Sequence, residues 1–116
     1  MNKVRNSITL IGNLGKDPEL HQFENGKTVA KFSLATNEVY RNASGDKVTS
    51  TQWHNIVAWG KLAEIMGDLL KKGKEIAITG RLTYRSYQDK DGTNRYIPEV
   101  VAEDFHLMAG SQKERA

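Results

Sequence analysis

Aromatic rings stand out among the side chains of this sequence that could bind a ligand. Thr51 to Gly60 reads TQWHNIVAWG, and its two tryptophans, Trp53 and Trp59, are six residues apart. Because side chains of one parity project to the same face of an extended strand, both indole rings are predicted to lie on one face. Ile56 and Ala58 have the other parity and already offer a core face. The pattern therefore predicts stacking of the tryptophan face against a ligand; the alternative is that both rings pack in the core.

Two tyrosines and a set of cations accompany these tryptophans. Flat rings accept any nucleobase by stacking, at about 1–3 kcal/mol per base, while cations contact the phosphates. The predicted stacking residues are Tyr40, Trp53, Trp59 and Tyr87, and the basic residues interleaved with them are Lys31, Arg41, Lys61, Lys72, Arg81 and Arg85. This arrangement favours sequence-tolerant binding of a single-stranded nucleic acid. The alternative places Trp59 and Tyr84 in the core and makes the arginines a solvated face.

The patterns typical of catalytic and metal sites are poor. The three histidines, His21, His54 and His106, lack the spacing that grips a metal ion. No Lys-Ser/Thr follows the glycines of residues 12–15, so a phosphate-binding loop is not indicated. The acidic group Glu99, Glu103 and Asp104 is predicted to be solvated or ion-paired on a strand. We therefore expect no catalytic residue, no metal and no cofactor, and a protein that is not an enzyme.

Composition sets further bounds. With 116 residues, 38% hydrophobic and 27% charged, the chain is predicted to form one globular domain. A net charge of +3 is compatible with a polyanionic partner but does not require one. The absence of cysteine excludes disulfides and thiolate metal sites. Since no apolar run of membrane-spanning length and no signal-like start is present, we expect no membrane span, no signal peptide and a cytoplasmic location.

Hydrophobic periodicity defines the elements that must position these side chains. Period-two patterns predict strands at Ser7 to Leu14, Thr28 to Thr36, Thr51 to Gly60, Glu75 to Tyr87 and Arg95 to Leu107, with a further short strand possible in Glu19 to Glu24. In the fourth strand, Ile76, Ile78, Gly80, Leu82 and Tyr84 are predicted to face the core. The polar residues Glu38 to Ser50 are expected to form the tip of a long, mobile hairpin.

One helix is predicted, from Lys61 to Lys72. Leu62, Ile65 and Leu69 follow helical spacing, and Ala63, Met66 and Leu70 widen the apolar stripe. Gly73 is predicted to be the residue that ends the helix. Residues 1–108 are expected to form the domain, and residues 109–116 a frayed, flexible tail.

The order of three strands, a helix and two strands indicates a fold. It is typical of an all-β, five-stranded Greek-key barrel of the oligonucleotide- and oligosaccharide-binding (OB) type, with one short helix between strands three and four. A generic small β-barrel shares the strand count, but fewer of them place the only helix there.

Several motifs in unbroken order resemble the bacterial single-stranded DNA-binding protein family. They are NLGKDPE from Asn13, AKFSLAT from Ala30, QWH from Gln52, WGKLAE from Trp59, ITGRL from Ile78, and Arg95-Tyr followed by Glu99-Val-Val. The likeness extends from about Asn6 to Leu107. It implies a barrel, usually assembled as a homotetramer, that wraps single-stranded DNA during replication, repair and recombination.

The resemblance also implies roles for individual residues. The family's base-stacking positions match Tyr40, Trp53, Trp59 and Tyr87, its basic contacts match Lys3, Lys61, Lys71, Lys72 and Arg85, and His54 matches a position at the subunit interface. Familiar members carry tryptophan at the first and last stacking positions and phenylalanine at the third. Two positions that are basic in those members hold Asn55 and Ser86 here. The family's usual acidic, Phe-terminated tip is not in this sequence, either because it was removed or because this member lacks it, so recruitment of partner proteins by that route is not carried over from the resemblance.

Three alternatives remain at this point. The first is a primosome-type relative, dimeric and of the same fold. The second is a protein-interaction adaptor whose tryptophan face docks another chain. The third is a metal-dependent nuclease, which would consume its nucleic-acid substrate with magnesium.

Overall fold

Six strands and one α-helix make up the computed structural model, which describes residues 3–108 and the side chains of residues 5–108. In chain order the elements are a 3-10 helix Lys3–Asn6, β1 Ile8–Leu14, β2 Glu19–Gln22, β3 Thr28–Arg41, β4 Lys47–Trp59, α1 Gly60–Leu69, β5 Glu75–Gln88 and β6 Asn94–Leu107. The predicted tail, residues 109–116, lies outside the described residues.

The strands form a closed, mainly antiparallel sheet in the order β1-β5-β6-β4-β3-β2, and β1 also pairs with β3. β4 and β6 form the parallel pairing, at Ile56↔Val100 and Val57↔Val101. Five principal strands thus close a barrel, β2 is the short additional strand, and α1 follows the third principal strand. The predicted OB barrel is confirmed.

Gly12 allows β1 to join both neighbours. A Cβ atom at this position would lie 2.1 Å from the carbonyl oxygen of Ala35 on β3, far closer than any side chain tolerates. β1 pairs with β5 up to Asn13 and with β3 at Asn13↔Ala35, so the two pairings meet beside this glycine. The close approach of two backbones therefore requires glycine here.

The core fills the interior of the barrel and the end beneath the helix. Its largest fully buried side chains come from three strands, the helix and the residue that follows the helix: Leu34, Ile56, Met66, Leu70, Ile76 and Ile78. Alternation along β3 and β4 is responsible for much of this burial, because one parity of each strand points inward. The predicted core face of β4, with Ile56 and Ala58, is confirmed.

The helix is shorter than predicted, and only part of its predicted apolar stripe faces inward. α1 ends at Leu69, with an extended Leu70 as its C-cap, whereas Gly73 lies in the turn beyond it at φ +88°. Ala63 and Met66 are the buried residues of α1, while Ile65 and Leu69 are exposed. Leu62, Ala63, Met66 and Leu70 of the predicted apolar stripe therefore meet the barrel, whereas Ile65 and Leu69 lie at its exposed edge.

The stretch Glu38 to Ser50 forms the outer end of the β3–β4 hairpin, as predicted, but most of it is strand and not loop. β3 and β4 remain paired as far as Arg41↔Lys47, which leaves residues 42–46 as the loop. Side chains of both parities are exposed along β3 beyond Thr36. Because neither face is buried there, no apolar alternation marks these residues as strand.

Tyr84 was predicted to face the core and is instead 65% exposed. It continues the parity of Ile76 and Ile78, both of which are completely buried. From Tyr84 to Gln88 all residues of β5 are exposed, so this end of the strand lies outside the packed interior. The alternation along β5 was predicted correctly, but the packed interior of the barrel ends before the strand does.

Candidate nucleic-acid interface

Trp53, Asn55, Val57 and Trp59 lie on one side of β4, and this side is here called the tryptophan face. Trp53 is 61% exposed and Trp59 46% exposed, whereas Ile56 and Ala58 on the opposite side are buried. β3 adds Val29, Lys31, Ser33 and Ala35 to the tryptophan face, since each is directly paired with one of its members. Both indole rings therefore stand on a sheet surface, as the sequence predicted.

Gly15 positions Trp53. A Cβ atom on Gly15 would lie 2.6 Å from Cζ3 of Trp53 and 2.8 Å from Oγ of Ser33. The indole thus packs directly over the backbone of the loop that follows β1. The Gly15 N–H donates to the carbonyl of Ser33 at 3.0 Å, which fixes that loop to β3.

Trp59 is supported by another ring, which the sequence alone did not single out. Phe23 stacks on it with ring centroids 6.0 Å apart and planes 20° apart, and His21 meets Phe23 edge-on at 4.4 Å. His21 belongs to β2 and pairs with Val29, which pairs in turn with Trp59. The Asn25-Gly26 dipeptide marks a hairpin turn in the sequence. The contact between Phe23 and Trp59, however, follows only when the register of three strands is known.

A cleft of about 370 Å³ opens on the tryptophan face between the two indoles. Asn55 and Val57 of β4 form part of its lining. Two ion pairs stand in its walls: Arg85 Nε lies 3.0 Å from Glu99 Oε2, and Lys16 Nζ lies 3.1 Å from Glu19 Oε2. The complete lining is Lys16, Glu19, Lys31, Phe32, Ser33, Asn55, Ile56, Val57, Arg85, Ile97 and Glu99. The structure therefore brings Lys31 and Arg85, both predicted phosphate contacts, to one cleft.

The two predicted tyrosines lie near the outer ends of the hairpins. Tyr87 is 44% exposed and shares the parity of Arg85 on β5. Tyr40 is 50% exposed but has the parity opposite to that of the β3 residues on the tryptophan face. Arg41 is beside it, and its guanidinium donates to the Gly45 carbonyl at 2.8 Å. By parity, Tyr40 therefore lies on the side of the β3–β4 ribbon opposite to the tryptophan face.

The remaining predicted cations are distributed around the barrel. Lys61 is in the first turn of α1, two residues after Trp59, and Lys71 and Lys72 follow the helix. Lys72 also donates its backbone N–H to Asp17 at 2.7 Å. Arg81 lies 3.8 Å from Glu103 and is half exposed. The side chain of Lys3 lies outside the described residues.

His54, the predicted interface residue, is half-buried on the side of β4 opposite to the tryptophan face. Its Nε2 lies 3.0 Å from the hydroxyl oxygen of Thr36 on β3. Within residues 3–108, no group of three or more histidine, aspartate or glutamate side chains is arranged to hold a metal ion. In the same residues, no helix is long and apolar enough to span a membrane.

The barrel has the OB fold, a class that includes domains that bind nucleic acid through aromatic side chains on a sheet. The model of the single-strand binding protein family matches residues 5–108. The chain belongs to that family.

Individual relatives agree with this assignment. The chain is 45% identical over 104 residues to single-stranded DNA-binding protein 1 of Chlorobaculum tepidum, covering 89% of this chain and 64% of that protein. It is 44% identical over 105 residues to the single-stranded DNA-binding protein of Neisseria meningitidis serogroup A, covering 90% and 60% respectively. The chain thus spans less than two thirds of the length of these curated relatives.

A solved structure shows the same fold. The Plasmodium falciparum SSB in complex with ssDNA superposes with a TM-score of 0.81 at 30% identity, covering 89% of this chain and 94% of that one. The barrel described above is therefore similar to one that has been seen with single-stranded DNA.

Proposed function

We propose that this chain is a non-enzymatic, sequence-tolerant binder of single-stranded DNA that acts in replication, repair and recombination. The observation that carries the proposal is the placement of two exposed indoles on one sheet face, with Lys31 and Arg85 in the cleft between them. Stacking accepts any base, and neutralised phosphates release counterions. The names of the relatives support the same ligand.

The binding surface proposed is the tryptophan face and its surroundings. Base stacking is assigned to Tyr40, Trp53, Trp59 and Tyr87, and phosphate contact to Lys3, Lys31, Arg41, Lys61, Lys71, Lys72, Arg81 and Arg85. Of these cations, Arg81 and Arg85 are held by acidic partners, whereas Lys31 forms no ion pair within the described residues. Lys31 is therefore the cation in the cleft with the most freedom to meet a phosphate.

A fluorescence titration tests this function. Oligo-dT added to the protein is expected to quench tryptophan emission, because a base stacked on an exposed indole changes its surroundings. The affinity is expected to fall as salt rises. Unchanged emission together with no mobility shift at low salt would contradict single-strand binding and favour the protein-interaction adaptor.

Assembly as a homotetramer is part of the proposal, with His54 at the subunit interface. Its hydrogen bond to Thr36 holds the imidazole on the side of the β3–β4 ribbon away from the tryptophan face, which leaves that face to the ligand. Mass measurement in solution distinguishes the tetramer from the dimer of a primosome-type relative. The cytoplasm, where bacterial DNA is copied, remains the predicted compartment.

A further inference from the structure

The position of the cleft determines what a bound strand must cross. Asn55 and Val57 fill the places between Trp53 and Trp59 on the tryptophan face. Six residues of strand separate the indoles by about 20 Å. A nucleic acid strand that stacks one base on each tryptophan therefore passes over the cleft, whose lining contains neither tryptophan nor tyrosine.

The cleft opens where two strands separate. β4 and β6 are paired at Ile56↔Val100 and Val57↔Val101, and beyond these pairs Asn55 and Glu99 line the gap together. A base that enters this gap meets side chains that can form hydrogen bonds in place of an aromatic platform.

Three of these side chains have hydrogen-bonding capacity to spare. Ser33 and Asn55 form no side-chain hydrogen bond within the described residues. Glu99 Oε2 accepts a hydrogen bond from Arg85, whereas Glu99 Oε1 has no hydrogen-bond partner within the described residues. The Glu99 side chain is only 13% exposed, so water competes poorly for it. An ionised carboxylate can only accept hydrogen bonds, so the cleft favours a base that presents a hydrogen-bond donor.

We propose that this cleft is a nucleobase subsite in which Glu99 accepts a hydrogen bond from the exocyclic amino group of cytosine. The proposal rests on the single-strand binding proposed above and adds base discrimination to it. Cytosine presents an N4 amino donor where thymine presents an O4 acceptor. Thymine at this position would place two acceptors against each other. Asn55 can donate or accept and thus assists either base.

Glu99 has a simpler possible effect, which is to neutralise Arg85 and so weaken its attraction for phosphate. Removal of the charge would then raise the affinity for every sequence by the same factor. The ratio of affinities for two homopolymers cancels such a common factor. That ratio therefore measures base discrimination alone.

The test compares oligo-dC and oligo-dT of equal length at one salt concentration, with the full chain and with Glu99→Gln. We expect the ratio of dC to dT affinity to fall about fivefold in the variant, the lower end of the range for a specific base contact. Glu103→Gln is the matched control. It removes the same charge from the same strand, in the Arg81–Glu103 pair, and Glu103 does not line the cleft. Its ratio is expected to equal that of the unmodified chain.

Asn55→Leu provides a second variant should Glu99→Gln fail to fold by circular dichroism. The branched apolar side chain fills the gap, and the ratio is expected to fall as well. A ratio that stays unchanged in the folded variants, or that falls equally in Glu103→Gln, overturns the subsite while single-strand binding stands. An unmodified chain that binds neither oligonucleotide overturns the proposed function itself.

Discussion

The two tryptophans differ in the residues that support them. Trp53 lies over the Gly15 backbone, whereas Trp59 has one ring face against Phe23. We expect Trp53→Ala to weaken oligo-dT binding by about 1–3 kcal/mol, with little loss of thermal stability because the ring is 61% exposed. Trp59→Ala is expected in addition to lower the free energy of unfolding by about 0.5–1.5 kcal/mol, because the stacking of Trp59 on Phe23 is lost. Thermal melts and titrations of both variants measure this; a larger drop in melting temperature for Trp53→Ala would contradict it.

Gly15 leads to a prediction about positioning at a distance from the ligand. Gly15→Ala places a methyl group where the indole of Trp53 and the hydroxyl of Ser33 now lie, so the ring must move. We expect weaker oligo-dT binding and a shifted emission maximum of Trp53, recorded in a Trp59→Phe background. Gly67→Ala is the control, since its methyl group would meet Leu20 instead. Equal effects from the two alanines would refute a specific role for Gly15.

At the scale of elements, the loop that joins β5 to β6 is held by one carboxylate. The Arg95 guanidinium, which donates to Asp89 at 2.9 Å, lowers the pKa of Asp89 below its ordinary value of 3.8. Partial burial opposes this effect, and the backbone N–H groups of Thr93 and Asp91 add to it. Because the folded pKa is depressed, the stabilisation is complete above about pH 3.8 and is lost as the pH falls through the folded value.

This dependence can be followed at Thr93, whose N–H donates to Asp89 at 3.0 Å. We expect its amide proton shift to titrate with a midpoint below 3.8 and to lose that transition in Asp89→Asn. A midpoint at or above 3.8 in the unmodified chain would disprove the effect of Arg95.

Elements were predictable wherever one face is buried. Alternation along β3 from Val29 to Leu34 revealed a strand because Phe32 and Leu34 face the core. The part of this strand beyond Thr36 was not predicted, since its side chains are exposed on both faces and show no apolar alternation. The position of Trp59 was predictable from parity, but its contact with Phe23 depends on how three strands align. Register is a property of the folded sheet, and single-strand periodicity does not contain it.

At the scale of the whole molecule, binding is expected to depend on a small number of cations. The affinity for single strands falls with salt at a slope of about −0.7 for each phosphate neutralised. Lys61→Ala, two residues after Trp59, is expected to make the slope shallower by about 0.7 for oligo-dT. Lys90→Ala, outside the proposed phosphate contacts, serves for comparison. Identical slopes for Lys61→Ala and the unmodified chain would remove Lys61 from those contacts.

The short parallel pairing between β4 and β6, here called the seam, also affects how the chain folds. β3 with β4 and β5 with β6 are hairpins that can form locally, whereas Ile56 and Val100 in the seam are 44 positions apart. Contacts between distant residues form late because the loop between them must first be closed. We expect the two hairpins to assemble early and the pairings between distant strands, β4 with β6 and β1 with β5, to form later. Since Asn55 and Glu99 lie next to the pair Ile56↔Val100, the late step that joins β4 to β6 is also the step that creates the cleft.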